Sequence, residues 1–170
     1  MSPLRFAFVL PLGVQALAMM VDELHFHRRR GLAAWERIGH PLDTMTVLAC
    51  LAWVLLVAPT ERSIAVYVML AVVSCIFITK DEAVHASSCG GTEQWLHAVL
   101  FVVHPISLAS IGLLWPGVHA SAEAAPWWLA GVPATSIVAT QLALTSAFCL
   151  FQILYWNMPW ARSRRPSPTR

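Results

Sequence analysis

Five long apolar stretches, at about 4–22, 42–59, 63–79, 96–115 and 133–156, alternate along the chain with short polar segments. Each is close to the roughly 20 residues that an α-helix needs to cross about 30 Å of hydrocarbon. The pattern predicts an all-α integral membrane protein with five transmembrane helices. Spans 1–4 are expected to form a bundle of two duplicated helical hairpins, with span 5 packed alongside. One transmembrane domain would cover 1–160, and 161–170 would be a basic tail. Composition agrees: of 170 residues, 58% are hydrophobic and 12% charged, with a mean hydropathy of +0.64. A soluble domain carries about a quarter charged residues.

Charge gives the chain a direction. All eleven Lys and Arg residues except Arg5 and Arg62 follow spans 1, 3 and 5, and loops retained in the cytoplasm keep positive charge. The N-terminus is therefore expected outside and the C-terminus inside, in a membrane such as the bacterial inner membrane. Trp115, Trp127 and Trp128 are expected in the outer aromatic belt, and Trp156 and Trp160 in the inner one. A net charge of +2, concentrated in inner loops and tail, suits anionic lipid better than nucleic acid. A competing reading takes Arg5, the following apolar run and Ala16-Leu17-Ala18 as a cleaved signal peptide. Cleavage would put the arginine-rich loop outside, against the charge rule. Cysteines at 50, 75, 89 and 149 have no C-x-x-C spacing, so neither a disulfide framework nor a thiolate zinc site is indicated.

The potential ligands are not spread evenly. All nine acids except Glu61 and Glu123, and all seven histidines except His119, fall within 22–43 and 81–104. The two windows resemble each other. Asp22-Glu23 closes span 1 and Asp81-Glu82 closes span 3; Glu36 with His40 opens span 2, and Glu93 with His97 opens span 4. Trp35 precedes Glu36, Trp95 follows Glu93 by two, and both halves contain His-Pro, at His40-Pro41 and His104-Pro105. This reads as a parallel repeat, a common way to build a membrane bundle around a central site.

Helical spacing says which groups share a face. At about 100° per residue, Glu93, His97 and His104 fall within roughly 40° of one another. Glu23/His27 are i, i+4, and Asp22/His25 and Glu82/His85 are i, i+3, so each is a local acid–imidazole pair. His25 and His27 point about 160° apart on an α-helix. His27 is assigned to the bundle centre with Glu23, and His25 to the outside with Asp22. Pro41 is expected to mark the start of the second helix, with Asp43 as a cap or dipole partner.

Paired carboxylates and imidazoles from four helices are the ligand logic of di-iron and di-manganese bundles. The expected metal ligands are Glu23, His27, Glu36, His40, Glu82, His85, Glu93, His97 and His104. Asp22, His25, Asp43 and Asp81 are expected to orient them. Two metal ions are expected, iron favoured, with manganese or zinc as alternatives. The H-x-x-x-H and H-x-x-H-H boxes of membrane desaturases are absent.

The functional expectation is a membrane oxidoreductase, a hydroxylase or desaturase, that acts on a lipid or other hydrophobic substrate with an unidentified electron donor. Alternatives are a single-zinc membrane hydrolase, a metal-ion carrier or sensor, and a b-type haem protein. The zinc reading leaves several acids without a role, and the carrier would need ligands along a path across the bilayer.

Overall fold

The computed structural model describes residues 3–82, 89–121, 124 and 126–158. Five long helices make up the fold: α1 (Pro3–Val21), α2 (Glu36–Leu56), α3 (Glu61–Phe77), α4 (Gly91–His119) and α5 (Ala134–Asn157). No strand occurs among the described residues. All five helices are long and apolar enough to cross a membrane, the first counted as Phe6–Arg30.

Helix ends depart from the sequence reading in two places. α1 continues through a π-helical segment, Asp22–His27, into a last turn, Arg28–Arg30. Gly31, at φ 79°, then turns the chain out of the helix, a conformation that costs a side-chain-bearing residue more. α2 begins at Glu36, so Pro41 lies inside the helix instead of at its first position. The Glu36 side chain stands in for a cap there, accepting a hydrogen bond from the Ala33 N–H at 2.8 Å. Thr60 and Ser63 form a capping box that starts α3.

α1 packs mainly on α4, and α2 packs mainly on α5 and α3; α4 also meets α2, α3 and α5. The fifth helix is therefore in direct contact with two members of the expected four-helix unit. One half of the interior is apolar, built from residues such as Leu51, Val54, Leu108, Ile111, Leu114 and Val138. The other half holds the buried acids and histidines Asp22, Glu23, His27, Glu36, Glu93, His97 and His104. Leu56, Ile76, Val102, Leu144 and Leu154 are exposed. Buried charge inside with large aliphatics outside reverses the soluble arrangement and is compatible with a lipid surround.

Two tryptophans depart from the belt expectation. Trp115 is buried and donates from Nε1 to the Val57 carbonyl at 2.8 Å. That carbonyl, at the C-terminal end of α2, has no helical partner. Trp156 is buried beside Glu23. Trp127 is exposed, as a belt residue would be; Trp160 and the 161–170 tail lie outside the described residues. His119 is the last residue of α4, and its Nε2 lies 2.8 Å from the Val54 carbonyl.

Candidate metal centre

The centre forms where the end of α1 meets the starts of α2 and α4 and the end of α5. Its middle is His27, which is fully buried. The Nε2 atom of His27 lies 3.4 Å from Asp22 Oδ2 and 3.8 Å from Glu93 Oε1, and Nδ1 lies 3.7 Å from Glu23 Oε2. Neither ring nitrogen makes a hydrogen bond, and Glu93 Oε1 makes none either. His97 Nε2 completes this side at 3.1 Å from Asp22 Oδ1.

These spacings are informative. Ligand atoms bound at about 2.0–2.2 Å to a shared ion stand about 3.0–3.4 Å from their nearest fellow ligands. Asp22, His27, Glu93 and His97 each offer one ligand atom, all within 4.8 Å of one another, and all four residues are buried. Glu23, His27 and His40 form a second such group. The His40 ring meets the His27 ring edge-on at 4.6 Å between centroids. This buried set of Asp, Glu and His could hold a metal ion.

The π-helical segment is what brings both acids to one histidine. On an α-helix Asp22 would point about 140° away from His27. A π-turn hydrogen-bonds i to i+5 and so brings those two residues towards register. Asp22, expected beside His25 in an orienting place, therefore belongs to the converging set. His25 is exposed and lies 3.2 Å from Arg29 Nη1, on the outer face assigned to it.

Several expected ligands have other partners. Glu36 is fully buried but is gripped by both Arg30 nitrogens, Nη1 to Oε2 at 3.1 Å and Nη2 to Oε1 at 2.8 Å. Arg30 Nη2 also lies 3.5 Å from Glu93 Oε1, so one guanidinium bridges two acids. Glu82 is exposed and is absent from the converging groups. His104 does lie on the buried stripe with Glu93 and His97, but both of its ring nitrogens are engaged elsewhere. Gln15 Nε2 donates to Nδ1 at 3.0 Å, and Nε2 pairs with Ser74 Oγ at 3.0 Å. Ser74 Oγ is in turn 2.7 Å from Thr46 Oγ1, which donates to the Asp43 carbonyl. Donor order along this chain gives His104 a proton on Nε2 only, because Nδ1 must accept. Asp43 does not cap α2; its Oδ2 accepts from Lys80 Nζ at 2.6 Å. His85 and the Asp81 side chain lie outside the described residues.

The sequence reading passed over the contribution of α5. Glu23 accepts hydrogen bonds from Trp156 Nε1 and, at 3.1 Å, from Gln152 Nε2. Gln152 Oε1 accepts from Thr44 Oγ1 at 2.7 Å, which fixes the amide orientation. A signal existed: Gln152 and Trp156 are i, i+4 at the C-terminal end of an apolar span, and polar groups there seek partners across helices. Cys89 also belongs to this neighbourhood. Burial and the adjacent Glu93 carboxylate push its thiol up to about 12.

The chain matches no protein-family model, no curated protein and no solved structure.

Proposed function

We propose that this protein is a membrane-embedded non-haem metalloprotein, an oxidoreductase of the hydroxylase or desaturase kind that acts on a hydrophobic substrate with electrons from an external donor. The observation that carries the reading is His27: a fully buried imidazole, ringed by three carboxylates, whose nitrogens make no hydrogen bond. Leaving buried polar nitrogens and acids uncompensated is costly. A divalent cation between His27 Nε2, Asp22, Glu93 and His97 would give His27 Nε2 and Glu93 Oε1 a direct partner, beside the existing Asp22–His97 hydrogen bond and Arg30–Glu93 ion pair. Mixed nitrogen and carboxylate ligation suits iron, manganese or zinc, and it is the usual donor set of non-haem iron oxygenases.

Two ions are proposed, one on each side of His27. Once its N–H proton is lost to solvent on loading of the second ion, the ring could offer Nε2 to the Asp22/Glu93/His97 group and Nδ1 to the Glu23/His40 group. Trp156 and Gln152 would orient Glu23, and Arg30 would hold Glu93, keeping the donors in place before an ion arrives. Asp22 and Glu93 would neutralise the ion. Surrounding helices would keep bulk water out of the centre.

In this reading the helices insert in a bacterial inner membrane, N-terminus outside, as a duplicated pair of hairpins joined by α5. The centre lies near the cytoplasmic surface. A single-zinc hydrolase is the second reading, supported by the four-residue group being complete without Glu23 and His40.

Metal analysis of detergent-purified protein tests these readings. About two equivalents of iron or manganese per chain are expected. One equivalent of zinc would favour the hydrolase, and no bound metal after growth in metal-replete medium would refute both.

A further inference from the structure

The helices border a partly open lumen of about 100 Å³ directly beside the polar cluster. Asp22 and His97 stand on one wall; Met19, Val47, Leu100 and Phe148 are among the apolar side chains on the others. α1, α2, α4 and α5 contribute to it, with Ile78 just after the end of α3, and His104 with Gln15 lies on its lining.

We propose that this lumen binds one segment of an unbranched alkyl chain, a few carbons long, delivered from the bilayer. Volume is the first argument. An engineered apolar cavity of about 150 Å³ takes benzene, so a partly open lumen of two-thirds that size takes the end of a slim chain, with the rest protruding, and excludes a rigid polycycle. The second argument is the state of the polar groups that line it. His104 has both nitrogens occupied by Gln15 and Ser74. Thr44 is spent on Gln152, and Gln152 on Glu23. These four groups are turned to one another; apart from the acids and histidines Asp22, Glu23, His40, Asp43 and His97, which also line the lumen, a guest meets apolar side chains. The third is continuity: the apolar walls run directly onto Asp22 and His97, which brings a bound methylene to the ligand cluster. This deepens the metalloenzyme reading by naming its substrate class, although the binding itself needs no metal.

The experiment measures the unfolding midpoint of metal-free and metal-loaded protein in digitonin, a sterol detergent with no free alkyl chain, with saturating n-hexane or adamantane. n-Hexane is expected to raise the midpoint by about 2–4 °C in the wild type, with or without metal, and adamantane to leave it unchanged. Leu100→Trp, which fills the lumen, should lose the n-hexane shift. Phe148→Ala, which enlarges it, should gain a shift with adamantane. An equal n-hexane shift in wild type and Leu100→Trp, or an adamantane shift in the wild type matching that of n-hexane, would overturn the proposal. If Leu100→Trp does not fold, Phe148→Ala decides alone: failure to gain the adamantane shift counts against the lumen. Because metal-free protein serves equally well, loss of alkane binding and absence of metal are separate outcomes.

Discussion

Asp22 and His27 are five residues apart on one helix, yet Asp22 Oδ2 and His27 Nε2 stand 3.4 Å from each other. The π-turn between them makes this geometry, since an α-turn would point them about 140° apart. Glu23 faces the other nitrogen of the same ring. A single turn of backbone thus presents two acids to the two edges of one imidazole.

Asp22→Asn is expected to lower metal affinity at least about tenfold, as loss of a charged ligand should. Asp43→Asn should change it little, because Asp43 is paired with Lys80. Chelator competition on the purified variants makes the comparison. Equal loss in both would mean that general negative charge, and not convergence on His27, draws the ion.

The α5 contacts to Glu23 should matter at a distance from the ion. Trp156→Phe and Gln152→Leu each remove a donor to a buried carboxylate, so each is expected to cost about 1–3 kcal/mol of stability. Each should also weaken metal binding about 10- to 100-fold. Denaturant unfolding and metal titration read the two effects separately, and a stability loss with unchanged metal affinity would count against an orienting role.

His104→Ala tests the clasp across the bundle. Gln15 and Ser74 would each lose a buried partner, giving an expected loss of about 1–3 kcal/mol. Metal stoichiometry should survive, whereas His97→Ala should lose metal, and His25→Ala, on the exposed face, should be silent in both measurements. Metal loss in His104→Ala equal to that in His97→Ala would restore His104 to the ligand set.

Arg30→Met should be strongly destabilising, by about 3–5 kcal/mol, because it leaves the fully buried Glu36 without its guanidinium. Arg28, over the Tyr155 ring, makes the control: Arg28→Met should cost well under half as much. Similar midpoints for the two variants in urea would argue that Arg30 is a solvated loop charge.

Cys89 should be slow to alkylate in the metal-free protein. Its thiol is pushed up to about 12, and the thiolate is the reactive form. Protonation therefore dominates at pH 7.5, and the rate should lie on the order of a thousandfold below that of a free cysteine near 8.5. It should still be rising at pH 10. A variant that keeps Cys89 as its single cysteine gives the measurement, and a rate that levels off near pH 9 would contradict the raised value.

The hydrophobic pattern determined the helices, because a run of about 20 apolar residues leaves the backbone few other ways to satisfy its polar groups in hydrocarbon. Five runs gave five helices, within a few residues at most ends. Clustering of acids and histidines at 22–43 and 81–104 likewise marked the end of the bundle where the buried centre lies. Face assignments held on the regular α4, where Glu93 and His97 point inward together; in the π-segment His27 is still buried and His25 exposed, because residues two apart fall on opposite faces at either period. They failed at Asp22, because the α-period of 3.6 residues does not describe a π-turn. Tertiary structure alone decided which acids remain available to an ion. Glu36 is withdrawn by Arg30, His104 by Gln15 and Ser74, and Asp43 by Lys80. Two of these three sets of partners lie 30 or more residues away along the chain, beyond what periodicity can reach. The choice of α5 to hold Glu23 belongs to the same class. Gln152 and Trp156 lie more than a hundred residues along the chain from Glu23, and only the packing of α5 on α2 and α4 brings them to it.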